Sequence, residues 1–484
     1  MSETPTENQD QTLTLTEIEP VEVDHSLLLA GRTLDYTTTT GYMPLKNEKD
    51  EIQAQMFFMA YTLIGEGDDR AERPLTFVFN GGPGSSSIWL HLGTCGPFRA
   101  VMQDEGWLPE PPYRMEANDH TWLDWTDLVF IDPVGTGFSH AKDEETAKTY
   151  WSLEGDLDAV AEFIRLYLTR YKRWSSPLFL AGESYGTTRA AGLTNKLLGK
   201  GIGLNGVILI STVLNFQTIR FTQGNDLPPL LYIPTYAVTA RYHERLDDDL
   251  QAMPLEDFIA EVETWTEEVY VIALTKGDRL QGEARQAIVE QLARYTGLSP
   301  AYIDGTNLRI NIQRFCKELL RDERRTVGRL DSRFKGIDAL PITELPDVDP
   351  SMAAIIPPYT AMFNDYVRRV LKFETDREYQ VLSFAVNQAW EWERGEFPDT
   401  SEMLRGAMAR NPYMKVYVGR GLYDLATPFF AAQYTLNHMD VDPALRDNVQ
   451  YFDYPAGHMY YIQTGSLAQF KADVMAFIED ALPS

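Results

Sequence analysis

Cysteine is scarce in this sequence, with only Cys95 and Cys316 among 484 residues. Two cysteines so far apart cannot build a disulfide framework. They also form no zinc-binding pattern, and no H-E-x-x-H stretch occurs. The sequence therefore argues against a metal enzyme, and we expect neither a metal site nor a cofactor.

Basic residues and long apolar runs are also few. There are 43 lysines and arginines against 71 acidic residues, which gives a formal net charge of −28. Such a surface repels phosphate backbones, so nucleic acid is not an expected partner, and the acidity is interpreted as serving solubility. No apolar run approaches the roughly 20 residues that span a bilayer, so no membrane span is predicted.

The N-terminal stretch, MSETPTENQDQTLTLTEIEPVEVD, is acidic and polar. It has neither the basic start nor the apolar stretch of a secretory signal, so we expect a cytoplasmic protein unless a signal has been removed. Residues 1–28 are predicted to form a flexible or loosely docked tail.

Short, apolar, β-prone runs recur along the next part of the chain. They are LTFVFN (75–80), LVFIDP (128–133), LFLAG (178–182) and GVILIST (206–212). Apolar residues at helical spacing occupy 153–171, and a charged turn joins two strands of a predicted hairpin, 41–46 and 52–65. This alternation predicts an α/β fold with a mostly parallel sheet and helices on both faces.

The alternation lapses from about 216 to 400, where helical segments and proline-rich breaks dominate. Strand patterns return at 414–420 and 448–457, and an amphipathic helix closes the chain. We therefore predict a core in two parts, residues 29–215 and 401–484, interrupted by a large, mainly helical cap insertion at 216–400. The sequence leaves the oligomeric state open.

The stretch GESYG (182–186) matches the G-x-S-x-G pattern. It follows an apolar strand and opens a helix, as a nucleophile elbow requires. Its two glycines let the chain turn sharply and lift the serine hydroxyl to the top of the sheet. Ser184 is therefore the predicted nucleophile of a serine hydrolase, and the predicted fold class is the α/β-hydrolase fold.

A serine hydroxyl needs a base to take its proton, and in this fold the acid and the histidine follow the serine along the chain. Three histidines follow Ser184. His243 lies in a charged segment of the insertion and is expected to face solvent, and His438 lies in a helical stretch. His458 follows a strand in a glycine-containing loop, PAGHMYY, and is the predicted base.

The acid is expected after the preceding strand, where GRGLYDLATP supplies Asp424. A buried carboxylate there would orient His458 and stabilise its imidazolium form. Asp440 and Asp442 compete for this role but follow a helix rather than the strand. Asp424 is therefore preferred.

Backbone donors for a tetrahedral intermediate are expected in NGGPG (80–84), which leaves the first strong strand. Its glycines let N–H groups approach a ligand closely, so Gly82 and Tyr185 would supply the two donors of an oxyanion hole. The stretch lacks the lysine and the spacing of a phosphate-binding loop.

Taken together, these stretches resemble the serine carboxypeptidase family. The matching ones are NGGPGSSS (80–87), DPVGTGFS (132–139), AGESYGT (181–187), GLYDLATP (421–428) and AGHM (456–459). The resemblance implies an exopeptidase that removes residues from the C-terminus of peptides, and a peptide with a free C-terminus as its partner. The residues that it implies are the triad Ser184, Asp424 and His458, the oxyanion hole Gly82 and Tyr185, and the carboxylate-binding Asn80, Gly81 and Glu183.

The chemistry of Glu183 fits this role independently. A protonated carboxyl can donate a hydrogen bond to a substrate carboxylate, whereas an ionised one would repel it. On this basis we expect free-acid peptides to be hydrolysed fastest in mildly acidic solution.

Three features depart from the family. It usually has a tryptophan at the position of Val78 and a second glutamate at the position of Thr94, ahead of a Gly-Pro pair. Its typical members are secreted and disulfide-bonded, whereas this chain resembles a bacterial-type member without that framework. The first two departures reduce the expected selectivity for free carboxyl ends.

Two other functions stay open. An esterase or an acyltransferase could use the same triad, since a fold does not fix its substrate. A non-catalytic binding protein on the hydrolase scaffold would be expected to have lost a triad residue or an oxyanion glycine, and neither is missing here.

Overall fold

The structure is a computed structural model that describes residues 13–65, 72–392 and 397–483. Over these residues the chain forms fourteen strands and seventeen α-helices. The strands are β1 (Val21–Leu29), β2 (Arg32–Lys46), β3 (Ile52–Leu63), β4 (Leu75–Phe79), β5 (Phe98–Ala100), β6 (Met115–Ala117), β7 (Asp127–Ile131), β8 (His140–Ala141), β9 (Leu178–Ser184), β10 (Gly206–Thr212), β11 (Thr326–Val327), β12 (Lys335–Gly336), β13 (Lys415–Gly421) and β14 (Val449–Tyr454). The helices are α1 (Ile88–Leu90), α2 (Glu144–Lys148), α3 (Leu153–Arg170), α4 (Tyr185–Gly199), α5 (Leu227–Leu231), α6 (Ile233–Tyr242), α7 (Asp248–Ala252), α8 (Leu255–Trp265), α9 (Val271–Lys276), α10 (Gly282–Thr296), α11 (Pro300–Gly305), α12 (Ile312–Glu318), α13 (Pro350–Arg369), α14 (Phe384–Ala389), α15 (Ser401–Arg410), α16 (Phe429–Asn437) and α17 (Thr464–Ala481).

One large sheet has the strand order β1-β2-β3-β7-β4-β9-β10-β13-β14, with β8 paired to β3. The strands from β7 to β14 in that order run parallel to one another. Strands β1, β2 and β3 form antiparallel pairs, as the predicted hairpin required, and β3 joins them to β7. The mostly parallel sheet of the prediction is confirmed.

All five residues of β4 are buried, which explains why the parallel strands are nearly continuous apolar runs. Successive side chains of a strand point to opposite faces of the sheet. Phe77 and Phe79 belong to the apolar cluster that also contains Leu157 of α3 and Leu193 of α4. Val78 belongs to the cluster on the other face, which contains residues of α13 and α17. Helices therefore cover both faces, as predicted.

The residues expected to form a cap, 216–400, contribute to two different apolar clusters. Helices α5 to α12 share an apolar cluster with α16 and the loop before it, and in this cluster the rings of Tyr236 and Phe315 stack 4.0 Å apart. Helix α13 instead lies on the sheet, since Phe363 and Tyr366 belong to the same cluster as Val78. An apolar stripe at helical spacing is the same signal in either setting, so the sequence alone does not separate the two.

The predicted tail, residues 1–28, is too long. Strand β1 begins at Val21 and pairs with β2 along its whole length, from Val21 opposite Thr40 to Leu29 opposite Arg32. Alternate side chains of β1 face solvent over most of its length, which makes an edge strand look like a disordered segment in the sequence.

The residues just before β1 are also bonded to the rest of the chain. Leu13 N donates to Lys142 O at 2.8 Å, and Gln55 Nε2 donates to Thr16 O at 2.7 Å. Residues 1–12 of the predicted tail lie outside the described residues. Within the described ranges, no helix is both long and apolar enough to cross a bilayer.

Removing residues 1–30, and with them β1, is expected to lower the free energy of unfolding by about 3 kcal/mol. Leu27 and Leu29 are buried, and each such side chain contributes roughly 1.5–3 kcal/mol. The truncation also exposes the edge of β2 to pairing with another chain. Denaturant titration and size-exclusion chromatography measure both effects. A control chain lacking only residues 1–12 keeps the β1–β2 ladder, and equal unfolding midpoints for the two truncations would contradict the structural role of β1.

Candidate active site

The predicted site residues all follow neighbouring parallel strands at one edge of the sheet. The glycine loop (residues 80–84, NGGPG) follows β4, and Ser184 ends β9. Asp424 follows β13 and His458 follows β14. Because the carboxyl ends of parallel strands meet at the same edge, ligands of such sheets bind there. The chain order of these residues becomes spatial proximity through the sheet.

Ser184 lies at a sharp strand-to-helix turn with φ 60° and ψ −128°. A non-glycine residue rarely adopts this backbone, and its strain is typical of functional positions. Gly182 and Gly186 make the turn feasible, since a Cβ on Gly182 would lie 2.2 Å from Gly186 O. The geometry is that of a nucleophile elbow.

His458 and Asp424 are directly paired. His458 Nδ1 lies 2.7 Å from Asp424 Oδ2, and both side chains are buried. Asp424 Oδ1 accepts hydrogen bonds from Ala426 N and Thr427 N at 2.7 and 2.9 Å, and Thr427 Oγ1 donates to Oδ2 at 2.7 Å. These donors hold both oxygens of the buried Asp424 side chain in place beside the imidazole, where a carboxylate can stabilise an imidazolium.

The electrostatic surroundings of His458 favour its protonated form. Burial opposes the positive charge, but the Asp424 carboxylate and Glu183 outweigh it, so the pKa of His458 is raised above its ordinary value. Its backbone is held as well, because His458 N donates to Leu330 O and Ser211 Oγ donates to His458 O, both at 2.6 Å.

Ser184, His458 and Glu183 line one cavity of about 470 Å³, together with the glycine loop. This volume lies within the usual range for small-molecule sites, roughly 300–1,000 Å³. Asp424 is fully buried behind His458 and does not line the cavity. Tyr185 does not line it either, and its backbone N–H lies in the first turn of α4, where such groups have no intrahelical partner.

The glycine loop after β4 packs directly onto the nucleophile turn. A Cβ on Gly81 would lie 2.4 Å from Tyr185 N and 2.7 Å from Gly186 N. Both are backbone atoms of the turn, so no side chain at position 81 can be accommodated by a rotamer change. Gly82 has φ 105°, a conformation that other residues rarely adopt. The two predicted oxyanion donors, Gly82 and Tyr185, thus belong to loops in close contact.

Arg189 of α4 links the helix that follows the nucleophile turn to the glycine loop. Its Nε donates to Asp156 Oδ2 of α3 at 2.8 Å, and its Nη1 donates to Asn80 O at 2.7 Å. Arg189 and Asp156 are both buried. The guanidinium carbon lies 5.3 Å from the ring centres of Phe79 and Tyr185, within range of a cation–π contact.

Glu183 is a buried carboxyl with two donors on the same oxygen. Asn80 Nδ2 and Tyr461 Oη donate to its Oε2 at 2.5 and 2.6 Å. Burial raises the pKa of Glu183 to about 7. Leu90 N donates to Asn80 Oδ1 at 3.1 Å, which fixes the orientation of the amide. Sequence reasoning missed Tyr461, because an aromatic residue after AGHM reads equally well as a core residue.

The two positions that depart from the family are both buried. Val78 is part of β4. Thr94 lies in a π-helical turn, His91–Cys95, and its Oγ1 has no hydrogen-bond partner among the residues that the structure describes. Thr94 therefore makes no contact with Glu183 of the kind that a second carboxyl would make.

The competing histidines and aspartates lie elsewhere. His243 was expected to face solvent, and this is wrong: it is buried, with Nε2 2.7 Å from Ser332 O, and burial lowers its pKa to about 4. His438 is exposed at the end of α16. Asp440 and Asp442 line a separate surface depression.

The insertion contacts the loops that carry the acid and the base. Leu425 N donates to Arg329 O at 3.1 Å, next to Asp424. Gly457 N donates to Asp331 Oδ2 at 3.0 Å, next to His458. Residues 329–331 thus form hydrogen bonds with both loops, and Arg329 and Leu330 also line the cavity.

Neither cysteine is bonded to the other, and both are buried. In the described part of the chain, no group of three or more histidine, cysteine or acidic residues is arranged to hold a metal ion.

Comparison of the sequence with known proteins finds relatives of this chain. A plant protein, serine carboxypeptidase-like 5 of Arabidopsis thaliana, is 31% identical over 155 residues, which cover 31% of this chain and 33% of that protein. The pheromone-processing carboxypeptidase of Saccharomyces cerevisiae is 31% identical over 156 residues, or 30% of this chain and 20% of that protein. These alignments span a third or less of the relatives' own length.

Among solved structures, the proline iminopeptidase of Mycobacterium smegmatis is similar to this chain with 14% sequence identity and a TM-score of 0.37, covering 91% of this chain and 98% of that one. The fold assignment depends instead on the strand order and direction described above. The family model described as serine carboxypeptidase matches residues 30–459, nearly the whole sheet, insertion and site. The chain belongs to the serine carboxypeptidase family.

Proposed function

We propose that this protein is a serine carboxypeptidase, which cleaves the last peptide bond of a peptide through an acyl-enzyme on Ser184. The observation that carries the proposal is one cavity lined by Ser184, His458 and the buried Glu183. A nucleophile with its base gives hydrolysis, and a neutral carboxyl beside the nucleophile gives a site for the substrate's own terminus.

In the proposed mechanism His458 takes the proton of Ser184 as its hydroxyl attacks the scissile carbonyl. Asp424 stabilises the imidazolium that forms. The N–H groups of Gly82 and Tyr185 receive the negative oxygen of the tetrahedral intermediate. His458 then donates its proton to the leaving amine, and the C-terminal residue departs. Water, activated by His458, hydrolyses the acyl-enzyme and releases the shortened peptide.

Recognition of the free C-terminus is assigned to Asn80, Gly81 and Glu183. With a pKa of about 7, Glu183 is mostly protonated in mildly acidic solution and can donate that proton in a hydrogen bond to the substrate carboxylate. Arg329 also lines the cavity and adds a positive charge to a wall that includes the carboxylates of Asp347 and Asp349. An esterase or acyltransferase would need the same triad but not this carboxyl.

We also propose that the protein works in a reducing compartment such as the cytoplasm. Cys95 and Cys316 are buried free thiols, as is usual where thiols are kept reduced. Immunolocalisation in intact cells of the source organism tests this, and recovery of the protein outside the cytoplasm would refute it.

Replacing Ser184 with alanine is expected to lower kcat roughly 10⁵- to 10⁶-fold, and His458→Ala about as much, since triad members act as a unit. His438→Ala, an exposed histidine remote from the site, serves as the matched control and is expected to keep full activity. Mass spectrometry of C-terminal ladders from mixed peptides measures the loss, and a fluorophosphonate probe is expected to label Ser184. Labelling at a different serine, or ladders made by Ser184→Ala, would show that another group is the nucleophile.

The pH dependence separates carboxyl recognition from bond cleavage. For a free-acid peptide, kcat/KM is expected to fall about tenfold per pH unit above pH 7 as Glu183 ionises and repels the substrate. The matched C-terminal amide has no carboxylate to repel and is expected to lack this basic limb. Both substrates share an acid limb, because His458 must be neutral to act as a base and its pKa is raised.

Glu183→Gln is the informative variant for this profile. A glutamine can accept from Asn80 and Tyr461 with its oxygen and donate to the substrate with its nitrogen, but it does not titrate. The basic limb for free-acid peptides is expected to disappear. Coincident profiles for acid and amide substrates, unchanged by Glu183→Gln, would favour the esterase or acyltransferase alternative.

A further inference from the structure

Glu183 is a buried carboxyl that needs a fixed partner. It is 2% exposed, and an ionisable group at that depth is costly unless it is hydrogen-bonded. The family's second glutamate is absent, because Thr94 occupies its position and makes no hydrogen bond through Oγ1 within the described residues. Asn80 donates one hydrogen bond to the carboxyl of Glu183, and any second partner must come from elsewhere in the chain.

Tyr461 reaches Glu183 across the same π-helical turn that carries Thr94. Its Oη donates to Glu183 Oε2 at 2.6 Å, and its side chain is fully buried. The ring lies against Gly93, where a Cβ would come within 2.5 Å of Tyr461 Cε2. The glycine next to Thr94 thus leaves the space that the ring fills.

We propose that Tyr461 is the positioning residue for Glu183, and that a glutamate–tyrosine pair in this chain replaces a pair of glutamates at the carboxylate-binding end of the cavity. The inference rests on the proposed function, because it concerns how that site receives the substrate's terminus.

Replacing a glutamate by a tyrosine as the partner of Glu183 lowers the number of titratable protons in the site. Two carboxyls at hydrogen-bond distance share a proton and titrate as a coupled pair. The Tyr461 phenol does not lose its proton in this range, since burial and the neighbouring Glu183 raise its pKa well above the ordinary value. Tyr461 and Asn80 both donate to Oε2, so Oε1 of Glu183 is the oxygen that carries the single titratable proton toward the substrate.

Other groups around Glu183 set its background potential. His458 favours the ionised form and Asp424 the neutral form. The buried Tyr359, Tyr460 and Cys95 interact with its charge while remaining neutral, because burial raises the pKa of each. The charged residues on the cavity wall are Arg329, Asp347 and Asp349.

Removing the Tyr461 hydroxyl tests the pairing with a signed outcome. The hydrogen bond from Tyr461 favours the ionised form of Glu183, so its loss raises the pKa of Glu183. For Tyr461→Phe the basic limb of kcat/KM with free-acid peptides is expected to move up by about one pH unit, since hydrogen bonds to charged groups are worth that much. At pH 9, normalised to each enzyme's own maximum, the variant is expected to be about tenfold more active on the free-acid peptide than the unmodified enzyme. The amide substrate is expected to stay without a basic limb.

Tyr460→Phe is the matched control. Tyr460 is also a fully buried phenol, but its hydroxyl has no hydrogen-bond partner in the part of the chain that the structure describes. Its removal is expected to leave the basic limb where it is. Gly93→Ala provides a second variant, because the added methyl group displaces the Tyr461 ring without removing its hydroxyl, and it is expected to move the limb in the same direction.

The outcomes separate this inference from the proposed function. If the unmodified enzyme shows the basic limb with free-acid peptides, and neither Tyr461→Phe nor Gly93→Ala moves it, the pairing is overturned while the carboxypeptidase assignment stands. An equal loss on acid and amide substrates at every pH would likewise overturn it, since that is the result of a packing role alone. Failure of the proposed function has a different signature, namely that the unmodified enzyme produces no C-terminal ladder.

Discussion

The close approach of two backbone loops is the constraint on which the site depends. The loop after β4 contacts the turn at Ser184 so closely that Gly81 has no space for a side chain. Arg189 fixes this contact from the core side, because one guanidinium bonds both Asp156 of α3 and the carbonyl of Asn80. A buried charge is stable only when it is paired. Another arrangement of the two loops would break hydrogen bonds of the buried guanidinium, so this arrangement is the stable one. The positions of the nucleophile and of the predicted oxyanion donors follow from that arrangement.

The acid and base are held by a different set of contacts. Asp424 accepts three hydrogen bonds from its own loop, which fix its carboxyl group behind His458. Glu183, the residue before Ser184, lies in different surroundings, because its burial favours the neutral form of the carboxyl. Two carboxyl groups in one site thus have different surroundings and different roles. A protein with net charge −28 can in this way present an uncharged acid to an anionic substrate.

The sequence was sufficient where local pattern and tertiary structure coincide. Buried parallel strands such as β4 are almost entirely apolar, and strand-to-helix turns such as GESYG need their glycines for steric reasons, so both patterns are visible in the sequence. It was insufficient where one pattern serves two settings. The alternating β1 is equally compatible with a solvated tail, and α13 has the stripe of a cap helix but lies on the sheet. His243 is surrounded by charged neighbours in sequence, yet its ring is buried against Ser332. Tyr461 was missed because an aromatic residue is as common in a core as in a site, and its pairing with Glu183 is visible only in the folded chain.

The hydrogen bonds of residues 329–331 bear on how this scaffold could be re-engineered. The segment that walls the cavity is bonded to Leu425 beside the acid and to Gly457 and His458 at the base. Substrate preference and turnover are therefore not separable modules here. Exchanging the whole insertion for that of a relative would import a new pocket wall and at the same time remove the anchors of the acid and base loops. A graft that keeps residues 329–331 and varies the helices beyond them would preserve those anchors while the shape of the pocket changes.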